Sequence, residues 1–263
     1  MKIGAGTRAI VTGASKGIGR ALAEALAARG AAVGLAARSE QELVALAAEL
    51  GAGAVALPCD VADAASVQGA VERFADEAGG LDLVIANAGV AHYGRFESQD
   101  PELHERMTRI NWLGTVHTAR AALPHLRAGG GGHLAIVSSG AGLRAFPEAA
   151  VYGATKAAQR AFAEALRHEL AGSGVSVTTV FPGEIVSSLH DHEKASMPAW
   201  YHGDERAAPA SDLAAAVLAG IEADKRRVAY PREVSLLALN AVAPGLVDRL
   251  LRRLRGPSAA PRR

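Results

Sequence analysis

The sequence predicts an α/β protein built on a doubly wound parallel sheet. Short apolar runs alternate with amphipathic helical patterns, the first run ends in a glycine-rich turn, and neither a linker nor an internal repeat divides the 263 residues. Apolar runs of strand length are typical of strands buried on both faces. Repeated βα units impose parallel pairing with right-handed crossovers. We therefore expect a Rossmann fold with seven parallel strands and helices on both faces.

The apolar runs give the order of the elements. Strands are predicted at Arg8–Thr12, Ala32–Ala37, Ala54–Leu57, Leu81–Ala86, His133–Val137 and Val175–Val180, with a seventh near Val228. Apolar spacings of three and four predict helices at Gly19–Arg29, Glu40–Leu50, Ala64–Ala78, Pro101–Leu126 and Ala149–Leu170. A further helix is expected to start at Ser211 and Asp212, which suit an N-cap. These elements form one predicted domain, residues 1–232, followed by a helical extension at 233–263.

Composition excludes several classes of protein. A net charge of +1 gives no field that would attract nucleic acid. The single cysteine, Cys59, excludes an intrachain disulfide and gives no metal cluster. No run approaches the roughly 20 apolar residues of a spanning helix, and the start of the chain lacks the charged and apolar regions of a signal peptide. We expect a soluble cytoplasmic protein.

Tyr152 and Lys156 carry the strongest chemical signal. They lie four residues apart in a predicted helix and so share one face. An ammonium in that position can lower the pKa of a phenol, about 10 in water, and the phenol can then serve as general acid or base. Ser138 and Ser139 precede them, with Ser139 thirteen residues before the tyrosine. Together these residues predict hydride transfer on a carbonyl or an alcohol.

The glycine-rich turn predicts a dinucleotide site. Residues Thr12–Gly19 read TGASKGIG and join the first strand to the first helix. Gly13 permits a tight turn, Gly17 lets the backbone approach a pyrophosphate, and Gly19 lets helix and strand pack closely. The helix N-terminus adds N–H groups and a partial positive charge.

Selectivity between the two nicotinamide cofactors is expected to depend on the end of the second strand. A carboxylate there would bind the ribose diol and repel a 2′-phosphate. This chain has Arg38 instead, and Lys16 lies inside the glycine turn. Two cations without a strand-end acid favour NADP(H) over NAD(H); the competing interpretation is that each is a solvated surface residue.

In this order, the motifs resemble the short-chain dehydrogenase/reductase family in its short single-domain form, over roughly residues 7–190. They are Thr12–Gly19, Asp60-Val61, Asn87-Ala88-Gly89, Asn111, Ser139, Tyr152-x-x-x-Lys156 and Pro182-Gly183. The resemblance implies an oxidoreductase acting on CH–OH and C=O groups. It also implies that Ser139 hydrogen-bonds the substrate oxygen and Tyr152 transfers the proton. Lys156 would bind the nicotinamide ribose and stabilise the phenolate, and Asn111 would hold a relay water.

The resemblance also implies a cofactor-binding set. Its members are Gly13, Ser15, Lys16, Gly17, Ile18, Gly19, Arg38, Asp60, Val61, Asn87, Ala88, Gly89, Tyr152, Lys156, Pro182, Gly183, Ile185 and Ser187. Asp60 and Val61 would hold the adenine, and the backbone of Ile185 would meet the nicotinamide carboxamide. Ser187 stands where the family more often has threonine.

A substrate loop is predicted at about residues 187–210. It contains His190, His192, Met197, Trp200, Tyr201 and His202, and further wall candidates are His92, Tyr93, Phe146 and Glu184. His190 and His192 lack a third ligand, so no metal site is expected. The apolar bias favours a lipophilic ketone, aldehyde or secondary alcohol.

The extension at 233–263 departs from the pattern of the family's acyl-carrier-protein ketoreductases. Val234, Leu237, Val242, Leu246, Leu250 and Leu254 recur at near-helical spacing, and Pro244-Gly245 is expected to divide the segment into two helices. Six arginines and one acid follow from Leu246 onward, and residues 256–263 are expected to be disordered. Three interpretations stay open: helices packed on the same chain or a dimer partner, a lid over the cleft, and peripheral attachment to a membrane.

The sequence thus predicts an NADP(H)-dependent carbonyl reductase or alcohol dehydrogenase, assembled as a homodimer or homotetramer. One alternative is a peripheral-membrane lipid or steroid dehydrogenase. An alternative of another class is a non-catalytic NADP(H)-binding sensor or scaffold, against which the intact catalytic set argues.

Overall fold

The computed structural model describes residues 1–187, 189 and 207–255, with the backbone alone for 250–255. Seven parallel strands form one sheet in the order β3-β2-β1-β4-β5-β6-β7. They are β1 (Arg8–Thr12), β2 (Ala32–Ala37), β3 (Ala54–Pro58), β4 (Leu83–Ala86), β5 (Gly132–Val137), β6 (Val175–Pro182) and β7 (Arg227–Tyr230). The order reverses between β1 and β4, and in such sheets ligands bind beyond the carboxyl ends of the strands at this reversal.

Helices cover both faces of the sheet. They are α1 (Gly17–Ala27), α2 (Glu40–Leu50), α3 (Ala64–Ala78), α4 (Pro101–Met107), α5 (Gly114–Ala128), α6 (Ala150–Glu169), α7 (Ala210–Glu222) and α8 (Pro244–Arg255). Apolar residues of α1, α2 and α7 pack on one face, and those of α3, α5 and α6 pack on the other. The strands between them are buried on both sides, which explains why they read as continuous apolar runs.

The doubly wound parallel fold predicted from the sequence is confirmed. The bounds of β1, β2, α2 and α3 coincide with the predicted ones. β4 starts two residues later than predicted; just before it, the Asp82 side chain accepts hydrogen bonds from the backbone and guanidinium of Arg8. α1 begins two residues earlier, inside the glycine turn.

The predicted helix at Pro101–Leu126 is not continuous. A π-helical segment, Thr108–Leu113, separates α4 from α5. The hydroxyls of Thr108 and Thr115 bond carbonyls four residues back, an arrangement that often bends helices. A π-helical turn adds one residue and so rotates the faces after it by about 100° relative to those before it. A single periodic pattern applied to residues 101–126 did not resolve this change. Such segments are frequently found at functional sites.

Two predicted helix boundaries differ in detail. α7 begins at Ala210 after Pro209, without a side-chain cap, so Ser211 and Asp212 lie in its first turn instead of capping it. The fixed φ of proline suits the approach to a helix. Residues 232–255 divide near the predicted point, into a 3₁₀ helix at Arg232–Ala241 and α8, but Pro244 starts α8 instead of lying between the two.

No helix within the described ranges has both the length and the apolar character needed to cross a lipid bilayer.

Candidate active site

A cleft of about 760 Å³ opens at the carboxyl ends of the strands, beside the reversal between β1 and β4. Ser139 and every residue of the predicted cofactor-binding set line it. Of the predicted catalytic and cofactor-binding residues, Asn111 alone lies behind the wall, fully buried. The fold therefore brings together residues that are up to 174 positions apart, from Gly13 to Ser187, because the loops after parallel strands meet at one edge of the sheet.

The glycine turn has the backbone geometry that the sequence predicts. Gly13 and Gly17 have φ of 68° and 54°, a region that favours glycine. A Cβ at Gly19 would lie 2.0 Å from the Gly13 carbonyl oxygen, so only glycine permits this approach. The amide of Asn87 donates to the Thr12 carbonyl oxygen at 2.9 Å and thereby ties the turn to the end of β4.

The start of α1 fits a pyrophosphate. α1 has neither a side-chain cap nor an acidic residue in its first turn, whereas the side chains of Asp63 and Asp100 cap α3 and α4. No side chain caps its first N–H groups, so these groups face the cleft together with the positive end of the helix dipole. This donor set and the space left by the glycines match what a dinucleotide needs.

Tyr152 and Lys156 lie on α6 at the deep end of the cleft. They are 7% and 4% exposed, and the Lys156 Nζ is 5.8 Å from the centroid of the Tyr152 ring. The Lys156 Nζ donates to the Val137 carbonyl oxygen at 3.0 Å, which anchors it to the end of β5. Burial lowers the pKa of Lys156 from 10.5 to about 7 because the ammonium loses its hydration.

The same burial raises the pKa of the Tyr152 phenol, and a hydrogen bond from Ser139 lowers it in part. The sequence led us to expect a phenol pKa lowered by the neighbouring ammonium. The structure differs because the loss of hydration outweighs the hydrogen bond from Ser139. Tyr152 lines the cleft with its phenol hydrogen-bonded to Ser139, an arrangement that suits a proton donor.

The two serines have different surroundings. Ser138 is buried and its hydroxyl donates to the Lys156 carbonyl oxygen at 2.8 Å, so it joins β5 to α6. Ser139 faces the cleft, bonds Tyr152 and accepts from the Ala141 N–H at 3.1 Å. Of the two, Ser139 is placed to meet a substrate oxygen next to Tyr152.

Asn111 holds the wall behind Lys156. It lies in the π-helical segment, where its side chain accepts from the Val90 N–H at 2.8 Å and donates to the Val90 carbonyl oxygen at 2.9 Å. Its own carbonyl oxygen accepts from the side chains of Thr115 and Gln159, at 2.8 and 2.9 Å. A Cβ at Gly89 would lie 3.3 Å from the Asn111 Oδ1 and 3.4 Å from the Lys156 Nζ, so both groups crowd that glycine. Sequence reasoning missed Gln159; its position three residues after Lys156, on the same helix, is a weak signal.

The opposite end of the cleft carries exposed charges. Arg38 and Lys16 both line it, as predicted, but so does Glu42, in the first turn of α2. The Glu42 carboxylate lies 2.7 Å from the Lys16 Nζ, and hydrogen bonds from Lys16, Ser15 and Ser39 lower its pKa. Sequence reasoning looked for an acid at the strand end and missed this one, four residues after Arg38. One of the two predicted cations is therefore neutralised in the structure.

Apolar side chains surround the substrate end. Val90, Tyr93, Phe146, Leu189 and Leu237 line the cleft near Tyr152, with the Tyr93 and Tyr152 ring centroids 5.9 Å apart. Glu184 lines it as well, whereas His92 is buried and does not. Leu237, from the 3₁₀ helix, brings the extension to the cleft wall. The candidates His190, His192, Met197, Trp200, Tyr201 and His202 lie outside the described residues.

Two sequence relatives are similar to this chain. A glycine betaine reductase from Emericella nidulans is 39% identical over 187 residues, which are 70% of this chain but 15% of that protein. An uncharacterised oxidoreductase from Staphylococcus epidermidis is 36% identical over 177 residues, 67% of this chain and 77% of that one. The chain thus spans a small part of the first relative and most of the second.

Three solved structures share the fold. A 3-ketoacyl-(acyl-carrier-protein) reductase from Brucella melitensis, complexed with NADH, has a TM-score of 0.78 and 28% identity over 86% of this chain and 97% of that chain. An alcohol dehydrogenase from Thermococcus sibiricus, complexed with 5-hydroxy-NADP, has a TM-score of 0.76 and 29% identity over 85% of this chain and 95% of that chain. A short-chain dehydrogenase/reductase from Burkholderia phymatum, in complex with NAD, has a TM-score of 0.83 and 24% identity over 99% of both chains. This similarity is one of fold.

The family model for the short-chain dehydrogenases matches residues 7–197, which include every motif quoted above. Its range runs from just before β1 past Leu189 and contains every residue that lines the cleft except Leu237. The fold, the cleft and this match agree, and the chain belongs to the short-chain dehydrogenase family, whose members are oxidoreductases.

Proposed function

We propose that this chain transfers a hydride between NADP(H) and the carbonyl or secondary alcohol of a small lipophilic substrate. One observation carries the proposal: Tyr152 and Ser139 are bonded to each other at the buried, apolar end of a cleft whose other end is an uncapped helix N-terminus. The first end suits proton transfer to an oxygen atom, and the second suits a dinucleotide.

The chain's residues account for the proton side of the reaction. A bound nicotinamide supplies the hydride to the carbonyl carbon. As negative charge builds on the substrate oxygen, Ser139 and Tyr152 donate hydrogen bonds to it, and these bonds are stronger in the transition state than in the ground state. Tyr152 then gives its proton to that oxygen, and the Lys156 ammonium stabilises the remaining phenolate. Because burial brings the pKa of Lys156 to about 7, this group can pass a proton on at neutral pH.

The substrate class rests on the wall beside Tyr152. Tyr93, Phe146, Leu189 and Leu237 offer an apolar surface, with Glu184 as a charged exception. Binding of an apolar substrate in such a pocket is favoured by roughly 25 cal/mol for each Å² of apolar surface that is removed from water. A lipophilic ketone or alcohol therefore fits it better than a sugar.

The preference for NADP(H) rests on Arg38 and Lys16 at the adenosine end of the cleft. An arginine there can donate two bonds to a 2′-phosphate. Glu42 opposes this preference, because its carboxylate lies at the same end and holds Lys16. The structural neighbours include a complex with NADH and one with 5-hydroxy-NADP, so neighbours of this fold accept both cofactors.

Turnover with NADPH and with NADH over ketones of increasing chain length tests the proposal. We expect faster NADPH oxidation with the more apolar ketones, and a shift toward NADH in Arg38→Asp. The matched control is Arg73→Asp, an exposed arginine outside the cleft, which should leave the cofactor ratio unchanged. Cofactor binding without turnover on any ketone would support the sensor alternative, and an unchanged ratio in Arg38→Asp would remove the assigned selectivity.

The proposed setting is the cytoplasm, with the chain assembled as a homodimer or homotetramer. Light scattering after gel filtration measures the mass of the assembly directly, and a monomer would contradict this part of the proposal.

A further inference from the structure

The 3₁₀ helix at Arg232–Ala241 has an apolar row that faces solvent. Side chains three residues apart align along a 3₁₀ helix, and Leu236, Leu239 and Val242 have this spacing along it and at its end. They are 61%, 55% and 85% exposed, and Leu246, at the start of α8, continues the row at 63%. We call these four residues the outer row.

The outer row is not part of the protein core, because the opposite face of the segment already packs against the rest of the chain. Val234 and Val247 are each 8% exposed, and Leu237 reaches the cleft wall. Arg144, in the loop after β5, pairs with Asp248 of α8 and is mostly buried. The inner face thus fixes the segment to its own chain and leaves the outer row turned away.

The concentration of exposed apolar side chains in this segment is unusual for the molecule. Of the nine large apolar side chains that are exposed in the described part of the chain, the outer row supplies four within eleven residues. The other five are scattered over separate elements, as is normal for a protein surface. A contiguous exposed row, by contrast, is typical of a surface that binds a partner.

Charge identifies the kind of partner. Four of the chain's 28 basic residues (Arg249, Arg252, Arg253 and Arg255), but only one of its 27 acidic residues, lie on α8, so this helix carries +3 and the rest of the chain −2. A second copy docked through the outer row about a two-fold axis would bring two copies of this basic helix together, and like charges at an interface are unfavourable. An anionic lipid surface attracts the same charges and accepts the apolar row at its headgroup boundary.

We propose that the outer row and the basic helix α8 dock this chain onto an anionic lipid surface. The inner face of the same segment forms part of the cleft wall through Leu237. A chain docked in this way holds its substrate cleft close to the lipid, where lipophilic ketones and alcohols partition.

Co-sedimentation of the full chain with vesicles tests the proposal without any activity measurement. We expect binding to phosphatidylcholine vesicles that contain phosphatidylserine, weaker binding to phosphatidylcholine alone, and loss of binding at high salt. The triple variant Leu236→Ser/Leu239→Ser/Val242→Ser should bind at least about tenfold more weakly, since it removes the apolar area that enters the lipid. Arg252→Glu/Arg253→Glu should weaken binding to the anionic vesicles alone.

The matched control is Val44→Ser/Phe96→Ser, which removes two apolar side chains that are 54% and 61% exposed on other elements. It should bind like the unmodified chain, and an unchanged melting temperature in each variant shows that the fold is intact. Absence of vesicle binding in the unmodified chain overturns the proposal, as does equal binding by the triple variant. A dimer that the triple variant splits, without vesicle binding, would show that a second copy covers the outer row.

Discussion

The two ends of the cleft are built on different physical principles. At the catalytic end Tyr152 and Lys156 are almost completely buried, and the Lys156 Nζ is bonded to the Val137 carbonyl oxygen. At the adenosine end Lys16 and Glu42 form an ion pair whose side chains are 60% and 37% exposed. Electrostatic interactions are strong where water is excluded and weak where it screens them. In the proposed function, proton transfer therefore depends on a few fixed groups at one end, while cofactor choice depends on small differences at the other.

Tyr152→Phe should produce the largest effect, because it removes the proton donor from the buried end. Turnover should fall by about 10²–10⁴-fold, the usual contribution of general acid catalysis. Cofactor binding, measured by fluorescence titration, should be retained. Tyr230→Phe is the matched control, since that hydroxyl bonds Asp212 outside the cleft. Near-normal turnover in Tyr152→Phe would contradict the assigned role.

The serine pair separates chemistry from structure at the same end of the cleft. Ser139→Ala removes a donor to the substrate oxygen and should lower kcat by on the order of 10²-fold. Ser138→Ala removes the bond to the Lys156 carbonyl oxygen and should lower the free energy of unfolding by about 1 kcal/mol, with a smaller effect on kcat. Kinetics and thermal melting of both variants measure the contrast. If Ser138→Ala lowered kcat more than Ser139→Ala, the assignment of the two serines would be reversed.

The buried lysine should also give the free energy of unfolding a dependence on pH. Lys156 has a pKa of about 7 in the folded chain and about 10.4 when exposed in the unfolded one. Between these values the unfolded state binds more protons, so the free energy of unfolding should rise as the pH increases from about 7 toward 10. Burial lowers the pKa of His133 from 6.5 to about 4, so this residue acts in a separate pH range. Its contribution to the free energy of unfolding should be lost as the pH falls from about 6.5 toward 4.

Thermal melting at several pH values measures this slope. Lys156→Met should flatten the profile above pH about 7, whereas the control Lys225→Met, at an exposed lysine, should leave the slope unchanged. A slope that persists in Lys156→Met would mean that another group gives the dependence. The adenosine end, with its exposed charges, should contribute little to either profile.

The buried end is also the part that the sequence could predict. Strands buried on both faces appear as unbroken apolar runs, which is why the bounds of β1 and β2 could be predicted to the residue. The loops after parallel strands meet at one edge of the sheet, which brings Ser139 there at the end of β5. The family resemblance implied that Tyr152 acts beside it, and both line the cleft. Motif and topology together were sufficient there.

Other features depend on geometry that periodicity does not contain. The π-helical segment at Thr108–Leu113 shifts the face on which Asn111 lies, and a single periodic pattern applied to residues 101–126 did not resolve it. The outer row follows the three-residue period of a 3₁₀ helix. The α-helical spacing assumed from the sequence therefore grouped outer residues such as Val242 with inner ones such as Val234. Glu42 reaches Lys16 because of how α2 leaves β2, and no strand-end rule includes that position.

Glu42→Gln should give the smallest effect and the sharpest test of the adenosine end. It keeps the shape of the side chain, removes a negative charge near the proposed 2′-phosphate position, and releases Lys16 from its ion pair. Both changes favour NADP(H). Because the pair is exposed, the gain should not exceed about 1 kcal/mol, or about fivefold in kcat/KM for NADPH relative to NADH.

Glu49→Gln is the matched control for this substitution. Glu49 lies on the same helix and pairs with Arg20 at 2.5 Å, but it does not line the cleft, so the cofactor ratio should stay the same. The gain in Glu42→Gln should shrink as salt is added, since exposed charges are screened. A shift toward NADH in Glu42→Gln would mean that the carboxylate helps to orient Lys16 for the phosphate. The acid at this end would then be part of the NADP(H) site, and the preference would rest on all three charges together.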